Sequence, residues 1–512
     1  MKNNWPMVIH PGICRTATVV AAGFLVFSFF CRAAYAKDRI VTGPAAYKKA
    51  NVILIILDAL RPERLGCYTP SQDASPHIDA LAQRGIIFTN AFSQSHLTLP
   101  SVTSLFTSLY PFVHKTRHIF RDNVPEQAHT LAEILRLQGY KTAWFGYLRD
   151  PHSGAAPGLL RGFEEGIEIR PERIFQWLAQ AGEKPFFIVI HSYATHEKDF
   201  IGNQFENKIF ARIPKSFLQK VEDVRANGWQ GFQSDLRSKR EELYGFLGRD
   251  WIEQNWDLLM EPYSAERYKK LMYQASQSQQ KLYMLEAVTG GLEKAFASSG
   301  EEAAHGFLGF LDSALFDFDQ NCVAGLNALL EKKGLDQNTV IVITADHGNE
   351  FYEHGRLGHL GALFDESIHI PLIFHLPGYK HSVVIDDLAQ SIDIFPTLLD
   401  LLGVPVPSQL QGISLAGLMA GLPGAARHDY VYGQSVSGLL YIRSRQWKMI
   451  LPGESLCYGV DTGAQLFDLR RDPQEKINLI TNETRVAAGL RKKLWDRFGL
   501  CNDKKLFARP DN

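Results

Sequence analysis

Apolar runs in this sequence stop on residues that bind hard cations: Asn51 to Leu57 gives way to Asp58, Phe186 to Ile190 to His191, and Thr339 to Thr344 to Asp346-His347 just beyond. A lone aspartate after a strand is more often a turn or helix cap. The coincidence of three such endings points instead to side chains gathered in one place, where carboxylates and imidazoles offer oxygen and nitrogen to a divalent cation. Such a centre suits hydrolysis or transfer of a charged ester group. That chemistry needs an oxygen nucleophile, a cation that binds it and the transferred oxygens, and a proton donor for the leaving group.

The elements that must position these residues are legible in the apolar pattern. Asn-Val-Ile-Leu-Ile-Ile-Leu at 51–57 is continuous and rich in β-branched residues, as a strand covered on both faces requires, and predicts a central parallel strand. The same texture recurs at Phe186 to Ile190, Thr339 to Thr344 and Pro371 to Phe374, while helical periodicity fills Thr130 to Gln138 and Asp319 to Lys333. Strands alternating with helices predict an α/β fold, a doubly wound, mostly parallel sheet with helices on both faces. Ligands of such sheets bind beyond the carboxyl ends of the strands, where Asp58, His191 and Asp346-His347 stand. Past Asp429 the runs shorten and alternate, at Tyr430 to Tyr432, Leu439 to Arg443, Trp447 to Leu451 and Gln465 to Leu469. They predict a small C-terminal antiparallel α+β subdomain closed by a helix near Thr484 to Phe498.

The ordered set of motifs resembles the sulfatase family of the alkaline-phosphatase superfamily. The resemblance is carried by Asp58 to Tyr68 (Asp-Ala-Leu-Arg-Pro-Glu-Arg-Leu-Gly-Cys-Tyr), Ser75-Pro76-His77-Ile78-Asp79, Thr98-Leu99-Pro100-Ser101, Asp346-His347-Gly348 and Ile370-Pro371-Leu372-Ile373. Trp447-Lys448-Met449-Ile450 and Leu466-Phe467-Asp468-Leu469 through Asp472-Pro473 add the family's C-terminal part. The resemblance implies Thr98 as nucleophile and Asp58, Thr98, Asp346 and His347 as ligands of one divalent metal. It implies His196, in His-Ser-Tyr-Ala-Thr-His, as the first candidate acid, and His359 on the substrate oxyanion. His191, His354 and Arg61 are expected as substrate contacts. Taken alone, Thr98 reads equally well as the N-cap of a helix starting at Pro100 or Ser101, and His354 as a surface residue of a Gly-rich loop.

Departures from the family pattern sharpen the expectation. A formylglycine nucleophile requires C-x-P-S-R or S-x-P-S-R, whereas this run begins at Thr98 and ends at Val102, so no formylglycine is expected. Ala59 replaces the second aspartate of the usual pair, and Tyr147 stands where a lysine is usual. The remaining set resembles that of threonine-nucleophile phosphoglycerol and phosphoethanolamine transferases, and losing a carboxylate while keeping an imidazole suits manganese or zinc better than calcium. The leading reading is hydrolysis of a sulfate or phosphate ester, on a small molecule or a glycan or lipid. A head-group transferase or phosphodiesterase, and a catalytically silent binding protein, are the alternatives.

Length and composition set the remaining bounds. The 512 residues, 45% hydrophobic and 21% charged, can fill a large core, and a net charge of −1 without a long basic run gives nucleic acid no electrostatic hold. Lys2 and Arg15 precede the apolar run Ala17 to Cys31 and then Ala34-Tyr35-Ala36, the order of a secretory signal cleaved after Ala36. Periplasmic or secreted placement follows, with no stable membrane span after cleavage; an uncleaved anchor is the alternative. The expected organisation is a signal at 1–36, a catalytic α/β domain at 37–428 carrying a helical insertion at 205–304, and the subdomain at 429–512. Of the cysteines left after cleavage, Cys457 and Cys501 are candidates for a disulfide, and free thiols are the alternative.

Overall fold

A computed structural model describes residues 45–117, 122–146, 158–167, 169–195, 301–355, 357–359, 363–453 and 463–499, together with single positions 249 and 253. The signal at 1–36, His196, Cys457, Cys501 and almost all of the insertion at 205–304 lie outside the described residues.

The main sheet has 8 strands. In chain order they are β1 (Asn51–Leu57), β2 (Gly85–Phe92), β3 (Lys141–Gly146), β4 (Glu165–Ile167), β5 (Phe186–Ser192), β6 (Thr339–Thr344), β9 (His369–His375) and β10 (Val383–Gln390), with the two-stranded hairpin β7 (Glu350–Phe351) and β8 (Leu357–Gly358) standing apart. Their lateral order is β10-β2-β9-β6-β1-β5-β3-β4. Every residue of β1, β5 and β6 is buried, which is the physical reason for their uninterrupted apolar texture. β1 pairs in parallel with β5 through Ile55 and Ile190 and with β6 through Ile55 and Ile343. It is therefore central, and the carboxyl ends of the three strands share one edge.

The apolar run at Pro371 to Phe374 differs from its neighbours. It forms the middle of β9, which runs antiparallel to both β6 and β2. An unbroken apolar run reports burial on both faces but carries no direction. The sheet is mostly parallel with this one reversal, an α/β architecture as expected.

The helices follow local signals. Helix α1 (Pro76–Ala82) starts on proline; α2 (Thr98–Thr107) follows β2; α3 (Leu131–Leu137) opens on a reciprocal capping box between Thr130 and Glu133. Helices α4 (Pro171–Ala179), α5 (Glu301–Phe318), α6 (Ala324–Lys332) and α7 (Ile394–Leu402) complete the layers against the sheet. The periodic stretch expected from Asp319 is a single π turn, Asp319–Val323, leading into α6. Asp319 caps a different element: its carboxylate accepts the backbone N–H of His77 and of Ile78 at 2.9 and 2.8 Å, at the start of α1. The wider turn sets that carboxylate against the helix N-terminus.

Beyond it, β11 (Val431–Gln434), β12 (Leu439–Arg443), β13 (Trp447–Pro452) and β14 (Gln465–Asp468) form a separate antiparallel sheet, followed by α8 (Thr484–Phe498). Its apolar faces do not end at its own boundary. Tyr441, Ile450 and Phe467 pack with Phe92, Leu388 and Ile368 of the main body. Leu440, Met449, Leu490 and Leu494 pack with Tyr110, Phe112 and Ile392. Cys67 and Cys322 are free thiols. No described helix is long and apolar enough to cross a membrane.

Candidate active site

The ends of β1 and β5 are tied to one another by backbone: Asp58 N donates to Ser192 O at 2.9 Å, and Thr195 Oγ1 donates to Asp58 O at 2.5 Å. The turn out of β1 puts Ala59 in the left-handed region, at φ 58°. That turn aims the Ala59 N–H at Asp346 Oδ1, 3.2 Å away, linking the ends of β1 and β6. The same Oδ1 accepts from His347 N at 2.8 Å, whereas Asp346 Oδ2 is buried and makes no hydrogen bond.

Three carboxyl-edge side chains converge. Ligand atoms of Asp58, His191 and Asp346 lie within 4.8 Å of one another, and all three residues are buried. His347 joins them, with Nε2 3.5 Å from Asp346 Oδ2 and 3.7 Å from Asp58 Oδ1. Its Nδ1 lies 2.8 Å from Gly348 O and donates to it, which turns Nε2 toward the carboxylates. Burial pushes the His191 imidazole down to about 4, partly opposed by Asp346, so it is neutral at physiological pH.

Thr98 is the first residue of α2. Leu97 occupies the N-cap position and no side chain caps the helix, so the expected capping role for Thr98 is not what the structure places there. Its hydroxyl instead donates to Asp58 Oδ2 at 3.3 Å and lies 3.3 Å from His347 Nε2. The loop that delivers it is held on several sides. Ser93 Oγ donates to Ser101 Oγ, Ser101 Oγ to Ser95 O, Tyr441 Oη to Ser93 O at 2.6 Å and Gln434 N to Gln94 O at 2.9 Å. The main sheet, α2 and the second sheet all fix this segment.

The remaining expected residues divide. His359 is buried with its ring centroid 4.4 Å from that of His347. His354 stacks on Phe364 at 3.6 Å with Nε2 3.5 Å from Glu366 Oε2, a packed residue rather than a surface one. Arg61 is engaged by Glu63, by Glu353 Oε1 at 2.5 Å and by Asn349 O at 3.2 Å. With Ala59, Arg64, Thr195 and Phe351 it lines a tight crevice beside the cluster. His196 lies outside the described residues.

One neighbour was not singled out in the sequence. His96 is buried two residues before Thr98, and its Nδ1 lies 2.6 Å from His359 O. Burial, then the nearby His359 and His347, push it down to about 3, so it is a neutral imidazole bracing the loop of His359 against the loop of Thr98. The histidine in Ser95-His96-Leu97-Thr98 is its only sequence signal.

The donor set fits a divalent cation. Two buried carboxylates and two imidazoles face one another, and neither ring nitrogen of His191 nor Oδ2 of Asp346 has a hydrogen-bond partner. Burying such groups without a partner is costly, and a shared cation would satisfy them together.

Comparison with known proteins agrees with this architecture. The family model described as Sulfatase matches residues 50–164 and 169–404, and the one described as N-sulphoglucosamine sulphohydrolase, C-terminal, matches 353–500. Arylsulfatase K of Canis lupus familiaris is 24% identical over 488 residues, covering 87% of this chain and 81% of the relative. Delta 4,5-hexuronate-2-O-sulfatase of Bacteroides thetaiotaomicron is 24% identical over 467 residues, covering 85% of each. Among solved structures, a 2-O GAG sulfatase superposes with a TM-score of 0.62 at 21% identity, covering 91% of this chain and 95% of that one. The phosphonate monoester hydrolase of Agrobacterium radiobacter superposes with a TM-score of 0.61 at 19% identity, covering 88% and 96%.

The fold is thus shared with these sulfatase and phosphonate monoester hydrolase structures. Within it, this chain belongs to the sulfatase family, enzymes that hydrolyse sulfate esters.

Proposed function

We propose that this chain is an exported hydrolase of sulfated glycans that works through a covalent ester on Thr98. The observation that carries the reading is the position of the Thr98 hydroxyl, 3.3 Å from both Asp58 Oδ2 and His347 Nε2 at the start of α2. Relatives named for hexuronate, N-acetylglucosamine and N-acetylgalactosamine sulfates support the substrate class.

In this reading Thr98 Oγ attacks sulfur, the new Oγ–S bond forms, and the ester S–O bond breaks as the sugar hydroxyl departs with a proton. Water then attacks the threonine sulfate, releasing sulfate and restoring the hydroxyl. Asp58 and the His347 imidazole, each in hydrogen-bond reach of Oγ1, orient it and draw its proton. His196 is our candidate donor to the leaving oxygen, and His359 a second polar contact for the transferred group. A divalent cation held by Asp58 and Asp346, with His347 and Thr98 beside them, would lower the hydroxyl pKa and offset developing negative charge. The start of α2 adds backbone N–H groups for an anion.

A second reading, phosphate or phosphonate ester hydrolysis, is favoured by one observation: the centre contains imidazoles as well as carboxylates, a set less suited to calcium than an all-oxygen cage. Parallel turnover of aryl sulfate, phosphate and phosphonate esters separates the two.

The test of the covalent step is mass spectrometry of the protein after incubation with an activated sulfate ester. A group added to Thr98 is expected, together with loss of turnover in Thr98→Ala and partial activity in Thr98→Ser. Full activity in Thr98→Ala would eliminate covalent catalysis by this residue.

A further inference from the structure

The proposed chemistry leaves His191, which faces Asp58 and Asp346, without a task. It lies one residue before the end of β5, in register with Ile56 of β1 and Gly146 of β3. Its side chain is 0% exposed and its Nε2 is 3.6 Å from Asp58 Oδ2. Neither of its ring nitrogens makes a hydrogen bond, a costly state for an imidazole with no role. The surroundings hold the ring in place. Trp144 packs edge-on at 5.6 Å and Tyr193 at 5.1 Å. A Cβ on Gly146 would stand 2.7 Å from Trp144 Nε1 and 3.0 Å from His191 Cβ, so the glycine lets Trp144 close on this strand end.

We infer that His191 is a metal ligand, completing with Asp58, Asp346 and His347 a centre of two carboxylates and two imidazoles selective for zinc or manganese over calcium. This deepens the proposed site and rests on a cation being bound there. Ala59, the residue after Asp58, brings only a backbone N–H to Asp346, so its side chain contributes no oxygen donor. His191 reaches the same carboxylates from the neighbouring strand. Two imidazole nitrogens in the donor set favour borderline metals, whereas calcium takes six to eight oxygen ligands. A ligand from inside a fully buried strand is also rigidly placed, unlike one from a loop.

The test uses the full chain, equilibrated with zinc, manganese and calcium together, then analysed for retained metal by mass spectrometry and for imidazole count by X-ray absorption. Wild type is expected to retain zinc or manganese with two imidazoles in the absorption spectrum. One imidazole in wild type overturns the inference without any variant. His191→Ala and His191→Gln, checked for native circular dichroism, are expected to weaken retention at least about tenfold and to leave one imidazole. Ala59→Asp added to His191→Ala should move the preference toward calcium, since aspartate tolerates a positive φ. Unchanged affinity in both His191 variants, with metal lost in Asp58→Asn, sinks this inference and leaves the proposed site standing. A wild type that retains no divalent cation overturns the inference and the metal site together, while the Thr98 experiments still judge the covalent step independently.

Discussion

Gly348 shows how tightly single residues are constrained around the cluster. Its N–H donates to Ser367 O at 2.9 Å and its carbonyl accepts the His347 Nδ1 proton. A Cβ there would collide with the backbone oxygen of Glu366, so only glycine lets the loop lie this close. Gly348→Ala should cost about 1–3 kcal/mol of stability. It should reduce metal retention and turnover further still, because the carbonyl that orients His347 must move. Denaturant midpoints and metal content measured together check this; wild-type values for both would contradict it. Asp58, Asp346 and His347 were legible as residues at the carboxyl ends of strands because each follows an apolar run that had to be a strand. The partners of Arg61 and His354 were not legible, since Glu353 and Phe364 reach them only through the folded loops. His191 was legible as a strand-end residue, but its burial against Asp58 depends on the lateral order of strands, which no local pattern encodes.

At the scale of elements, a buried ionic cluster joins the two sheets. Lys448 of β13, 0% exposed, contacts Asp365 Oδ1 at 2.8 Å and Glu475 Oε1 at 2.8 Å. Arg443 of β12 grips Asp365 through Nε and Nη2, the latter at 3.0 Å, and lies 4.1 Å over the Phe92 ring. Removing one member of a buried pair leaves an uncompensated charge, which typically costs about 3–5 kcal/mol. Lys448→Met should lower stability by about that much in chemical denaturation, and adding Glu475→Gln should recover part of it. A cost under about 1 kcal/mol, the range of surface pairs, would show the cluster to be energetically idle. The alternating texture of 430–469 made these strands legible, whereas the antiparallel sense of β9 and the π turn at Asp319 were not. Direction and helical pitch are decided by packing partners, not by the run itself.

Across the whole molecule, the apolar faces packed between the two sheets lead us to expect a single melting transition, checked by calorimetry. His428 sits at this junction, its Nε2 2.8 Å from Asp393 Oδ2. Burial alone would lower its pKa, but the Asp393 carboxylate outweighs burial and the opposing Arg497, with help from Asp429, and the pKa lies above the ordinary value of 6.5. A raised histidine pKa stabilises the fold fully below the unfolded value and ceases to do so as pH rises through the folded one. His428→Ala should therefore cost more stability near pH 6 than near about pH 9, read from urea midpoints at both. Equal losses at the two values would remove the ionic contribution.

The grip of β11 and β12 on the loop before Thr98 has a meaning for inheritance. Gly433 lies so close to Gln94 O and the Tyr441 ring that a side chain there would collide with both, and its contact with Gln94 joins residues more than three hundred positions apart in the chain. When genes of this family recombine, a crossover between the two stretches hands the loop a grip shaped for another loop. The hybrids that stay active should be those in which both stretches descend from one parent, so that the C-terminal subdomain travels through evolution as the companion of a loop near the beginning.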